Sequence, residues 1–191
     1  MPGLDHFGLL APLYDRLIRP PDLGRLVDLA GLPTRGRLLD VGGGTGRIAQ
    51  GLAVLAEHVV VVDESWRMLS HARAKSVLRL TAGHAERLPF PPGSFARVIM
   101  VDAYHHLEDQ ERSLAEMIRV CAPGGRIVVE VPDIDRVGVW AIALFERLTL
   151  MRSRFRRAEE IASGFRALGA DVSVHRQATT AWIVAQASAR G

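Results

Sequence analysis

The chain has 191 residues, 48% of them hydrophobic and 24% charged, with a formal net charge of +3. That length suits one domain with a sizeable core, the composition is that of a water-soluble globular protein, and apolar runs such as "HVVVVDE" are too short to span a bilayer. A pI of about 9.7 at so small a net charge gives little support to nucleic-acid binding, and the single cysteine, Cys121, excludes an internal disulfide and fits a reducing cytoplasm.

Residues 1–34, with Pro2, Pro12, Pro20, Pro21 and Pro33, read as an irregular helical lead-in. The start has no basic stretch and carries Asp5, which argues against a secretory signal. "GRLLDVG" reads as a first strand and "RIAQGLAVLAE" as a helix; "HVVVVDE" is a second strand, followed by the helix "SWRMLSHARAK" with Ser65 as N-cap. "LRLTAG" and "ARVIMVDA" supply strands three and four. Between Glu108 and Ala122, Leu114, Met117, Ile118 and Cys121 share a helical face, with Cys121 read as a small buried hydrophobe. Pro123-Gly124-Gly125 is expected to stop that helix ahead of a fifth strand, "RIVVEVP".

Strands apolar on both faces that alternate with helices predict a parallel sheet covered on both sides. After the helical "RAEEIASGFRALGA", the segments "DVSVHRQ" and "TAWIVAQA" leave no room for a crossover, so the last pair is expected to be an antiparallel hairpin. The arginines of "ERLTLMRSRFRRAEE" read as a solvated helix face, the alternative being a patch for an anionic substrate or a membrane surface. The whole chain is expected to be one domain: lead-in 1–34, core 35–133, and substrate-side helices with the hairpin over 134–191.

"LLDVGGGTGRIA" places Gly42, Gly43, Gly44 and Gly46 between the first strand and its helix. Such a turn lets main-chain N–H groups approach a ligand unobstructed, where a tight turn alone would not need so many glycines. A dinucleotide fingerprint would require a glycine where Arg47 stands. The register is instead Asp40-x-Gly42-x-Gly44-x-Gly46. An acid ending the strand repels a pyrophosphate and suits a ligand bearing an ammonium and a sulfonium.

These motifs, with "VVVVDESWRML", "GHAERLPFPPGSFARVIMVDAYHHLED" and "RVCAPGGRIVVEVPD", resemble in order and spacing the class I S-adenosylmethionine-dependent methyltransferases. Within them the branch of the ubiquinone/menaquinone-biosynthesis C-methyltransferases is most similar. The likeness covers roughly residues 35–133, and "FGLLAPLYD" is similar to that branch's lead-in. It implies an α/β, Rossmann-like, seven-stranded mostly parallel sheet of order 3-2-1-4-5-7-6 with strand seven antiparallel, and S-adenosyl-L-methionine as cofactor. By the same likeness Gly42, Gly44, Thr45 and Gly46 would wrap the methionine moiety, with Asp40 near its amine and Asp102 bordering it. Asp63 would take the ribose hydroxyls, and Met68, Ala85 and His84 would meet the adenine. The chain departs from the family at two of these positions: Glu64 stands where an apolar residue is usual, and His84 where an acid usually reads the adenine amine.

A sulfonium already makes its methyl electrophilic, so the protein has chiefly to align an acceptor and exclude water. Where the acceptor must lose a proton, a histidine near its reference pKa of about 6.5 suits the task. His105 or His106, after strand four, is the candidate, against a purely structural role for the pair. Adjacent histidines without a spaced third ligand do not make a metal site. "DAYH" lacks the prolines typical of exocyclic nucleobase amine methylation. Tyr14, Asp15 and the apolar stretch with Trp140, Phe145 and Leu148 would select a small, lipophilic, quinone-like acceptor, with peripheral membrane contact left open. Two other readings stay in view: a cofactor-binding module without turnover, and an RNA or protein methyltransferase using Arg152–Arg157. Oligomeric state is not legible.

Overall fold

The computed structural model describes residues 22–135 and 154–188. Tyr14, Asp15, Trp140, Phe145, Leu148 and Arg152 lie outside the described residues, and so do the expectations placed on them. In chain order the elements are α1 (Leu23–Ala30), β1 (Leu38–Val41), α2 (Arg47–Leu52), β2 (Val59–Asp63), α3 (Trp66–Ala72), β3 (Leu78–Ala82), β4 (Phe95–Val101), a 3-10 turn (Tyr104–His106), α4 (Gln110–Val120), β5 (Cys121–Pro132), α5 (Ala158–Ala167), β6 (Asp171–Gln177) and β7 (Thr180–Gln186).

The seven strands form one sheet in the order β3-β2-β1-β4-β5-β7-β6. β1 to β5 pair in parallel, while β7 runs antiparallel to both β5 and β6. Successive side chains on a strand point to opposite faces, and both faces here are apolar. Leu39, Val98, Met100, Ile127 and Val129 pack with Leu114, Met117, Ile161 and Phe165 of α4 and α5. Leu38, Val59, Val61, Ile99, Val128 and Trp182 pack with Leu26, Leu29, Ile48, Leu52 and Leu69 of α1, α2 and α3. The valines of β2 thus serve two cores at once.

The carboxyl end of α1 is held to the sheet by two arginines that face each other across β4 and β5. Arg97 Nε donates to Ala30 O at 2.5 Å and its Nη2 to Gly31 O at 3.2 Å, while Arg126 Nη1 donates to Leu29 O at 3.1 Å. They satisfy carbonyls the helix leaves unpaired and place positive charge at the negative end of its dipole.

Four boundaries differ from the sequence reading. α2 ends at Leu52 rather than running on to Glu57, and α3 ends at Ala72, its expected N-cap in place with Ser65 Oγ accepting from Met68 N–H at 3.3 Å. Cys121 is not helical: it opens β5 opposite Phe95, and the register then shifts before Arg97 meets Arg126. Pro123-Gly124-Gly125 therefore sits in an irregularity inside the strand, where a Cβ on Gly125 would lie 2.7 Å from both Ala122 O and Cys121 Sγ. Burial, as expected of this thiol, pushes its pKa up to about 11. Finally, residues 154–157 are not helical; α5 begins at Ala158. Arg156 pairs with Glu111 at 3.2 Å and Arg157 with Asp135 at 3.3 Å, so the described part of the arginine cluster turns to the protein's own acids rather than forming a solvated helix face.

Candidate functional site

The chain leaves β1 for β2 on one side and returns through β4 on the other, so β1 and β4 flank the point where strand order reverses. Open α/β sheets bind ligands beyond the carboxyl ends of the strands at such a point. The motif residues converge there. A cavity of about 290 Å³ lined by Asp28, Arg126, Asp171 and His175 lies at the opposite edge, by the amino ends of β5 and β6, and takes none of them.

Asp40, on β1, is 1% exposed, and its Oδ2 has no hydrogen-bond partner. The glycine turn closes over it. Gly42, Gly44 and Gly46 hold φ of +69°, +53° and +70°. Gly43 is required by space: a Cβ there would stand 2.5 Å from Asp40 Oδ2 and 2.9 Å from Val61 Cγ1. Burial, reinforced by the negative charge of Asp63, pushes the Asp40 carboxyl up to about 7, against a smaller opposing pull from a backbone N–H of Ala49.

Asp63 ends β2 and ties the turn in place. Its Oδ2 accepts from Gly44 N–H at 2.9 Å and its Oδ1 from Ser65 N–H at 2.8 Å. Lys75 Nζ reaches back to the carbonyl of buried Thr45 at 2.5 Å, fastening the far side of the turn. Met68 is buried beneath Gly44, its Cε 3.0 Å from where a Cβ on that glycine would be. Glu64 and His84 emerge from the ends of the neighbouring strands β2 and β3 and meet each other, Oε2 to Nδ1, at 3.1 Å. Ala85, buried, follows directly.

After β4, Asp102 holds a left-handed φ of +54° and donates its N–H to Glu130 O at 3.3 Å. His105 and His106 come next, but in an environment unlike the one expected of a proton acceptor. His105 is 2% exposed, stacks on Phe155 at 4.8 Å between ring centres, and lies 4.0 Å from His106. Burial, then the neighbouring His106, pushes its pKa down to about 3, and burial takes His106 down to about 4. The loop is clamped from outside: Gln110 Nε2 donates to the carbonyls of Tyr104 and Arg154, and Arg154 N–H donates to His105 O. Both rings are therefore neutral near pH 7 and hold a proton far less readily than a histidine in water.

One residue at this edge escaped the sequence reading. Glu130, near the end of β5, carries a buried Oε2 without a partner. Burial, then Asp102 and Asp22, pushes its carboxyl up to about 8. The only signal was an acid interrupting the apolar "RIVVEVP". With Asp40, Asp63, Glu64 and Asp102 it gives this edge of the sheet a concentration of carboxyl groups that suits a cationic ligand. Among the described residues no group of three or more His, Cys, Asp or Glu side chains is placed to hold a metal ion, and no helix is long and apolar enough to cross a membrane.

S-adenosylmethionine fits this arrangement. Its ammonium and sulfonium would be matched by the carboxyl groups gathered at this edge, and the turn over Gly43 and Gly44 leaves main chain where side chains would block approach.

Comparison with known proteins agrees with the geometry. Residues 39–129 match the methyltransferase domain family. The chain is 38% identical over 137 residues to a demethylmenaquinone methyltransferase of Thermus thermophilus, covering 64% of this chain and 62% of that protein. It is 39% identical over 116 residues to the ubiquinone/menaquinone biosynthesis C-methyltransferase UbiE of Methylobacterium nodulans, covering 53% and 46%. In fold it is similar to the methyltransferase solved in complex with the Haloferax volcanii Trm112 activator, with a TM-score of 0.81 at 19% identity over 96% of this chain and 98% of that one. The chain spans about half to three fifths of the length of the curated relatives it matches.

Proposed function

Because residues 39–129 match the methyltransferase domain family, we propose that the chain binds S-adenosylmethionine at the glycine turn and transfers its methyl group to a small, quinol-type acceptor. The observation that supports this most directly is the buried Asp40 carboxyl under a turn whose Gly44 N–H is fixed by Asp63. The acceptor class rests on the relatives named for demethylmenaquinone and ubiquinone/menaquinone C-methylation.

When bound, the cofactor supplies an electrophilic methyl on a sulfonium, so the protein's share is alignment, exclusion of water and proton management. Asp63, already anchored by the N–H groups of Gly44 and Ser65, would receive the ribose hydroxyls as charge-assisted hydrogen bonds. Main-chain groups of Gly42, Gly44, Thr45 and Gly46 hold the amino-acid tail, with Asp40 and Asp102 facing its ammonium. Met68 and Ala85 give the adenine an apolar seat, beside Glu64 and His84. His105 and His106 form a wall of the acceptor site. Where the acceptor must release a proton, Glu130 is the better match: a carboxyl near pKa 8 is a stronger base than a ring near 3 or 4.

The second reading, an RNA or protein methyltransferase, is separated from the first by the acceptor that takes the label. The test is methyl transfer from methyl-labelled S-adenosylmethionine to three candidates: a reduced demethylated naphthoquinone, total RNA and a protein extract. Label in the quinol alone is expected. Label only in RNA or protein would overturn the acceptor class, and cofactor binding without label in any of them would favour a binding module.

A further inference from the structure

Two loops border the cleft at the carboxyl edge of the sheet, one after β3 and one after β4, and one side chain joins them. Glu86 follows Ala85 in the first loop. Its Oε1 accepts the N–H of Glu108 at 3.1 Å and that of Asp109 at 3.3 Å, in the second loop. Both amides lie ahead of α4, whose first residue is Gln110, so no helical carbonyl is in register to take them. The tie is returned from the helix: Arg112 Nε, in its first turn, donates to Glu86 O at 3.0 Å, and Arg112 N–H donates to Asp109 Oδ1 at 3.0 Å. From the same point Gln110 Nε2 holds the Tyr104 carbonyl, and the turn itself closes through His106 N–H to Ala103 O and Leu107 N–H to Tyr104 O. Glu116 and Arg119 also bind the first loop to α4, at Leu88 and Phe90, but from the second half of the helix. Of these ties, Glu86 is the one that reaches the amides ahead of it.

We propose that Glu86 is a positioning residue that couples the two sides of the cleft, so that a cofactor ordering the loop after β3 also orders the turn that walls the acceptor site. This role rests on the cofactor assignment above. Segments that share hydrogen bonds lose freedom together, so a ligand that immobilises one lowers the cost of ordering the other. A carboxylate suits the tie: one oxygen receives two N–H groups at once, and its charge is favoured at the start of a helix. The acceptor then meets a formed wall when the cofactor is in place and a looser one when it is not.

The test is amide hydrogen exchange of the full chain, followed by NMR, with and without saturating adenosine. Adenosine has no amino-acid tail, so it reaches the loop after β3 but not Asp102 or the turn that follows. In the wild type it should slow exchange at Ala85 and Arg87, and also, by about fivefold, at His106 and Leu107, the scale of one hydrogen bond. Glu86→Ala should keep the first effect and reduce the second to within about twofold of none. Glu86→Gln, whose side-chain oxygen still accepts both amides, should restore it. No slowing at His106 and Leu107 in the wild type, its persistence in Glu86→Ala, or no restoration in Glu86→Gln would each overturn the coupling while leaving cofactor binding intact. Loss of protection in Glu86→Ala throughout the strands, without ligand, would overturn it too, since the residue would then serve the fold at large. No effect of adenosine at Ala85 and Arg87 in the wild type would instead overturn the cofactor assignment, and this role with it.

Discussion

Asp40→Asn separates what the site costs the fold from what it contributes to binding. The carboxyl titrates at about 7 in the folded chain against an ordinary value of 3.8. Below pH 3.8 both folded and unfolded chains hold the proton and the residue costs nothing. As the pH rises toward 7 the unfolded chain releases its proton while the folded chain retains it, so folding is progressively penalised. The penalty levels off once the folded carboxyl also ionises. A difference of about three pKa units corresponds to about 4 kcal/mol at pH 8, falling to about 0.5 kcal/mol at pH 4. Asparagine keeps the shape and an acceptor for the Ala49 N–H but never ionises. Urea denaturation of Asp40→Asn should therefore show a gain of about 4 kcal/mol over wild type at pH 8 and almost none at pH 4. The same variant should bind S-adenosylhomocysteine more weakly, because the ammonium loses its counter-charge. A variant less stable than wild type at pH 8, or a gain independent of pH, would refute the view that Asp40 is an uncompensated buried acid held for a cationic ligand.

Other perturbations address separate parts of the account. Asp63→Ala removes the acceptor for Gly44, Ser65 and the proposed ribose hydroxyls, and should raise the dissociation constant for S-adenosylhomocysteine about a hundredfold by calorimetry. Glu130→Gln should lower kcat/KM for a quinol acceptor about a hundredfold and abolish the rise in rate centred near pH 8. Glu116→Gln should cost about 1–3 kcal/mol in urea denaturation at pH 7, because Glu116 receives Leu88 N–H at 2.8 Å and the Arg119 guanidinium, which itself donates to the carbonyls of Leu88 and Phe90. The Arg119 hydrogen bond holds the Glu116 carboxyl below its usual 4.5, so the stability it provides is present above that pH and lost as pH falls through the folded value.

Much of the fold was legible because its signals are local. Four consecutive valines in β2 announce a strand buried on both faces, and only Ala178 and Thr179 separate β6 from β7, which forces a hairpin. The glycine turn and Asp63 were legible for the same reason: their contacts are prepared within about twenty residues. The Cys121 boundary was misread because Pro-Gly-Gly is ordinarily punctuation, whereas pairing with Phe95 starts the strand earlier and absorbs it as an irregularity. The electrostatics of His105 depend on Phe155, fifty positions away, and those of Glu130 on Asp22 and Asp102. No spacing rule reports such burial. The Glu64–His84 contact needed the registry of two strands before two separate departures became one pair.

The central claim is that the glycine turn and Asp63 hold an adenosyl ligand with a cationic amino-acid tail. Calorimetric titration of the full chain with S-adenosylhomocysteine, with NADH and adenosine in parallel, tests it most directly. Saturable one-to-one binding of S-adenosylhomocysteine, much weaker binding of adenosine, none of NADH, and loss of affinity in Asp63→Ala are expected. No binding of S-adenosylhomocysteine, or NADH binding more tightly, would contradict the account.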